Sequence, residues 1–127
     1  MEFDTGSPIW GQLVAEFSRR IVTGEWPAGT KISGVRDLAA ELGVNPNTVQ
    51  RALAELERRE LCRSARTAGR FVTDEEARID TLRAELAQEA ADDFIDRARG
   101  LGMGPDHAQR LIEERWHDHH ADTPAGA

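Results

Sequence analysis

The chain has 127 residues, 39% of them hydrophobic, and a formal net charge of −7. That length supports one core with a small helical appendage and excludes two full domains. No apolar run approaches the roughly 20 residues of a membrane span, no signal-peptide layout opens the chain, and the lone cysteine, Cys62, excludes an intramolecular disulfide, so a cytoplasmic protein is expected.

Residues 1–6 read as a loose lead-in. Ser7 and Pro8 then predict a helix start, a hydroxyl cap followed by a proline where no amide is needed. Ile9, Leu13, Phe17 and Ile21 recur every four residues, with Trp10 and Val14 widening the stripe, so a core-facing helix is expected to about Thr23. Gly24 ends it, Pro27-Ala28-Gly29 turns the chain, and Lys31-Ile32 can add a short strand.

Val35, Leu38, Ala39 and Leu42 define a second helix, closed by Gly43-Val44-Asn45. Gly43 suits a left-handed exit, Val44 can point back to the core, and Asn45 with Pro46 caps a third helix. Two helices separated by a three-residue turn predict a helix-turn-helix. On the third helix Val49, Ala52, Leu53 and Leu56 share one side. Asn47, Gln50, Arg51, Ala54 and Arg58 share the other, with Thr48 on the flank. Amides, a hydroxyl and guanidinium groups in the first turns are the chemistry that reads base edges in the major groove, whereas a merely solvated face favours Glu and Lys. Leu61–Ala65 and Arg70–Thr73 then flank Arg66-Thr67-Ala68-Gly69, a hairpin whose basic tip can reach a phosphate or the minor groove.

Charge divides the chain in the same sense. Residues 1–73 hold ten basic and nine acidic side chains, a net of +1, while residues 74–127 hold six and fourteen, a net of −8. Screening confines the relevant field to about 10 Å, so a locally basic face can bind phosphate in an acidic protein.

From Asp74 a long helix is expected to about Arg99, with Ile79, Leu82, Leu86, Ala90 and Phe94 on its apolar side and Gly100-Leu101-Gly102 as its stop. Gly104-Pro105 opens another, with Ala108, Leu111, Ile112 and Trp116 facing inward. Two such stripes have to pack on the first domain or on a second copy of the chain; a two-fold homodimer is the default. Ile79, Leu82, Leu86, Phe94, Leu111 and Trp116 are the expected dimerisation residues. The His117, His119 and His120 cluster could share a metal, but histidines at a fraying helix end more often meet terminal carbonyls, and no metal site is assigned.

The run VRDLAAELGVNPNTVQRALAELERRELCRSARTAGRFV, preceded by PIWGQLVAEFSRRIVTGEWPAGTKI, resembles the GntR family of bacterial transcription regulators over residues 7–73. The short helical tail is similar to the YtrA-type subfamily, which carries a minimal dimerisation region. The resemblance implies DNA contacts from Arg36, Asn45, Asn47, Thr48, Gln50 and Arg51, with Gly69 letting the wing backbone approach the groove beside Arg66, Thr67 and Arg70. Three departures stand out. Ile32-Ser33-Gly34 replaces the family's Leu-Pro-Ser, so either Gly34 or Ser33 caps the second helix. Glu60 replaces a glycine after the third helix. The wing tip has fewer charges before its glycine, and gains Arg70 after it.

The expected fold is therefore mainly α. A winged helix-turn-helix domain (1–73) is followed by a small two-helix dimerisation region (74–120) and a disordered tail (121–127). The expected function is sequence-specific binding of a double-stranded operator by a homodimeric regulator, read as a repressor. A small-molecule effector, if one exists, would sit at a helix–helix or dimer interface. Carboxylates or apolar groups on the recognition face would signal a protein-docking module instead, and Asn47, Gln50 and Arg51 argue against it. No nucleophile–base pair, phosphate loop or zinc-peptidase spacing suggests an enzyme or a cofactor.

Overall fold

The computed structural model describes residues 1–121, without the side chains of 120 and 121; the expected loose tail otherwise lies outside the described residues. The elements are α1 (Ile9–Val22), α2 (Val35–Leu42), α3 (Pro46–Arg58), β1 (Cys62–Ala65), β2 (Gly69–Val72), α4 (Glu76–Gly100) and α5 (Pro105–Ala121). They divide into two compact units, Met1–Ala84 and the residues from Glu85 onward, so α4 contributes its first turns to one and the rest to the other. No helix among the described residues is long and apolar enough to cross a membrane.

The first unit is built around α3, whose Val49, Ala52, Leu53 and Leu56 are all buried. Leu13, Val14, Phe17 and Ile21 of α1 and Leu38, Ala39 and Leu42 of α2 complete the helical core, with Leu61, Cys62 and Val72 under the hairpin. Leu53 and Leu56 are within 1% of full burial, so truncating either to alanine would cost about 2–5 kcal/mol. The Phe17 and Trp26 rings stack at 5.0 Å, and the Arg20 guanidinium lies 5.5 Å from the Trp26 ring centroid.

The start of α1 departs from expectation. Pro8, not Ser7, is the N-cap residue, and no side chain caps it. The Gln12 amide serves instead: its Nε2 donates to the Asp4 and Ser7 carbonyls, and its Oε1 accepts from the Asp4 amide at 2.8 Å. Residues 4–7 are thereby tied to the helix. Ile9, at the outer end of the apolar stripe, is 43% exposed.

Helix ends follow one scheme three times. Gly43 (φ 69°) and Gly102 (φ 77°) take the left-handed conformation, and the next residue donates back to the helix, Val44 to Ala39 and Met103 to Ala98. α3 ends the same way without glycine: Glu60 has φ 62°, and the Leu61 amide donates to the Leu56 carbonyl at 2.9 Å. At α2 the cap alternatives resolve to Gly34, which is extended (φ −63°, ψ 158°) and makes no side-chain cap bond.

The wing is an antiparallel pair with Cys62 opposite Val72, Arg63 opposite Phe71, Ser64 opposite Arg70 and Ala65 opposite Gly69. The Lys31-Ile32 strand is realised as a single bridge from Lys31 to Phe71, reinforced by Ile32 N–H to the Arg70 carbonyl at 2.9 Å. Ile79 and Leu82 in the first turns of α4 are buried within this unit. Arg83 donates to the Val22 carbonyl (2.9 Å) and Arg78 to the Arg59 carbonyl (3.1 Å), satisfying orphan carbonyls at the ends of α1 and α3.

In the second unit Ala98 is buried and Leu86, Phe94, Met103, Ala108 and Leu111 are half-buried. Ile112 and Trp116 do not face inward as their spacing suggests: they are 44% and 70% exposed, with Ile95 and Leu101 also exposed.

Candidate nucleic-acid interface

The amino end of α3 is fixed by Asn45, whose Oδ1 accepts from the Asn47 amide at 2.8 Å with Pro46 in the first turn. That bond engages the Asn45 side-chain oxygen in capping and leaves its amide nitrogen for an outside partner. From this anchor Asn47, Gln50, Arg51 and Ala54 are exposed on one side of α3, and Thr48 is half-buried at its flank.

Neighbouring elements hold two of these side chains. The Arg51 guanidinium lies over the Trp10 ring of α1, 4.3 Å from its centroid. Arg70 of β2 donates through Nη1 to Gln50 Oε1 at 3.3 Å, joining wing to helix. Strand alternation explains why: Cys62 and Val72 face the core, so Ser64 and Arg70, two residues along each strand, face the same way. Ser64 accordingly donates to Glu57 of α3, whereas Arg63 is on the other side, over the Phe71 ring at 5.6 Å.

The wing tip closes through Ala68 N–H to the Ala65 carbonyl at 3.1 Å, leaving Arg66 and Thr67 exposed. Gly69 has φ 106°, and a Cβ there would stand 2.9 Å from Lys31 Cε. The positive φ is what favours glycine here, since the exposed Lys31 side chain can swing aside. Lys31, Ser33, Gly34 and Thr67–Gly69 line one cleft between the amino end of α2 and the wing tip. Arg36 is exposed in the first turn of α2.

Carboxylates neutralise several of the neighbouring cations, Arg58 at the carboxy end of the same α3 face among them. Glu16 pairs with Arg19 and Arg20, Glu25 with both of them, Glu41 with Arg20, and Glu55 with Arg58 and Arg59. Hydrogen bonds from Arg19, and then Arg20, hold the Glu16 carboxyl at about 2 against an ordinary 4.5, and Arg58 and Arg59 do the same for Glu55. Lys31, Arg36, Arg51, Arg66 and Arg70 have no carboxylate partner among the described residues, so their charge is unspent and available to an outside anion.

Trp10 and Lys31 are the residues that the sequence did not mark. Trp10 read as part of a core stripe, and its contact is with a residue 41 positions away. Lys31 read only as strand. Cys62 is a packing residue: it is buried, its thiol is directed at the Leu53 carbonyl, and burial pushes its pKa up to about 11. Among the described residues no group of three or more His, Cys, Asp or Glu side chains could hold a metal ion.

Residues 11–72 match the family model described as bacterial regulatory proteins, gntR family. An HTH-type transcriptional regulator of Mycobacterium tuberculosis is 34% identical over 112 residues, 88% of each chain. The transcriptional repressor YtrA of Bacillus subtilis is 31% identical over 70 residues, covering 55% of this chain and 54% of that one. Among solved structures, a GntR family transcriptional regulator from Listeria monocytogenes is 37% identical with a TM-score of 0.82, covering 88% of this chain and 98% of that one. With a helix-turn-helix, a wing and a surface that groups Lys31, Arg36, Arg51, Arg66 and Arg70, this chain belongs to the GntR family of bacterial regulatory proteins and is a DNA-binding transcription regulator.

Proposed function

We propose that the chain is a homodimeric repressor that occupies a pseudo-palindromic operator, with residues 1–73 binding DNA and 74–120 pairing two copies. The observation that carries this reading is the grouping on the helix-turn-helix and wing of Arg36, Arg51, Arg66 and Arg70, which no carboxylate among the described residues neutralises. In this reading the first turns of α3 enter the major groove. Asn47, Gln50 and Arg51 meet base edges, Thr48 and the Asn45 amide nitrogen meet phosphate, and Arg36 meets the backbone or a guanine. Arg66, Thr67 and the Gly69 backbone follow the strand beside the wing. Bound copies repress by blocking polymerase; the repressor role, though not its route, has the support of the name of the relative YtrA. A ligand that changed the spacing of the two winged domains would relieve it.

Pairing draws on the second unit. Ile79 and Leu82 are already buried in the first unit, which moves the dimer assignment to Leu86, Phe94, Leu111 and Trp116, joined by Ile95 and Ile112. Ile112 and Trp116 are one turn apart on α5 and form a continuous exposed apolar strip. Sedimentation equilibrium tests it. The wild-type chain is expected as a dimer, and I112E/W116E as a folded monomer with weakened binding to an inverted repeat. A wild-type chain that stays monomeric while saturating such a repeat would remove the pairing from the proposal.

A further inference from the structure

A glutamine amide has two faces to offer a base, an N–H donor pair and a carbonyl acceptor, and a half-turn about its last torsion exchanges them. A freely rotating glutamine therefore tolerates several bases. Gln50 does not rotate freely. Its neighbour across the wing is Arg70, and an arginine only donates, so the atom facing Nη1 at 3.3 Å is the Gln50 oxygen. Two features keep Arg70 there. The strand register points its half-buried side chain to the α3 side of the wing, and no carboxylate among the described residues competes for it, although its buried Nε has no hydrogen-bond partner of its own.

We infer that Arg70 is a specificity-determining positioning residue: it locks the Gln50 amide with its oxygen toward the wing and its NH2 group away from it. The inference rests on the reading that α3 lies in the major groove. In that setting the base edge on the far side of Gln50 from the wing has to offer an acceptor. Guanine N7 and O6, adenine N7 and thymine O4 qualify; cytosine, which presents the N4 donor, does not. Without Arg70 the amide turns over at will, and cytosine becomes acceptable. The wing thus controls which base the helix reads, beyond any phosphate contact of its own.

Parallel selections from a random duplex pool test this, using wild type, Gln50→Ala and Arg70→Met, which keeps most of the stem without a donor. Gln50→Ala identifies the position that Gln50 reads as the one whose preference flattens. There the wild type is expected to reject cytosine by about fivefold or more, and Arg70→Met to lose that rejection with every other position unchanged. Arg70→Gln, which keeps a polar side chain able to present either group, is expected to relax the same position and serves if the methionine variant unfolds. A uniform loss of affinity with an unchanged motif in the Arg70 variants would overturn the inference and leave a phosphate contact. A motif that Gln50→Ala leaves intact would overturn it too. Absence of any motif for the folded wild type would instead bring down the DNA-reading proposal beneath it.

Discussion

The Trp10 indole and the Arg51 guanidinium form a cation–π pair, 4.3 Å from cation centre to ring centroid, that ties the amino end of α1 to the exposed side of α3. A long arginine loses rotamer freedom when it binds, and a ring that already holds the guanidinium removes part of that loss before DNA arrives. Such pairs contribute about 0.5–1 kcal/mol at exposed sites. Trp10→Ala is therefore expected to weaken operator binding about two- to fivefold by fluorescence anisotropy, with Trp10→Phe intermediate. In an Arg51→Ala background the same change should have no further effect, because its target is gone. Additive losses would mean that Trp10 acts on binding by another route.

Arg51 and Arg66 are expected to fail differently. Arg51 faces base edges in the proposed complex, so Arg51→Ala should erode discrimination by about 1–3 kcal/mol while general affinity persists. Arg66 at the wing tip faces phosphate. Arg66→Ala should weaken all sequences alike and flatten the plot of log affinity against log salt by about 0.9, one phosphate contact. Salt titrations on specific and scrambled duplexes separate the two, and identical profiles for both variants would contradict the assigned roles.

Glu60 is the one non-glycine residue with positive φ among the described residues. The left-handed region costs an ordinary residue about 1–2 kcal/mol, offset in part by the greater chain entropy that a glycine loses on folding. Glu60→Gly should raise unfolding stability by about 0.5–1 kcal/mol, measured by urea denaturation. DNA affinity should not change, since Glu60 lies beyond the carboxy end of α3. A destabilised variant would show that the Glu60 side chain contributes more than its backbone strain removes.

The Glu16 carboxyl titrates at about 2 in the folded chain, chiefly through its hydrogen bond from Arg19 and also from Arg20, against an ordinary 4.5. Because the folded value is depressed, this contribution is fully present above about pH 4.5 and is lost as pH falls towards 2. Glu16→Gln should lower stability at neutral pH and flatten the loss between those two values, as followed by thermal melts across the range. A mutant whose pH profile parallels the wild type would place the acid sensitivity elsewhere, with Glu55 the next group to change.

Much of this was legible because the requirements are local. Gly43-Val44-Asn45-Pro46 specifies a left-handed exit and a cap within four residues, and the structure uses both, while Val44 is half-buried. The apolar faces of α2 and α3 follow from spacing alone. What the sequence concealed depends on partners far along the chain. Trp10 reads as core until Arg51 is brought beneath it. The Gln50–Arg70 bond spans 20 positions and depends on strand register. Ser7 carried a cap signal, but the Gln12 amide reached the lead-in first. Ile79 and Leu82 share a stripe with Leu86 and Phe94, and periodicity cannot tell that the first two are already covered within their own unit.

If α3 and the wing read a specific duplex in two copies, the purified wild-type chain will select a defined motif from a random duplex pool. The expected result is an enriched inverted repeat whose half-sites lie about one helical turn apart, ~34–36 Å centre to centre. A folded, dimeric chain that enriches no sequence at low salt would contradict it.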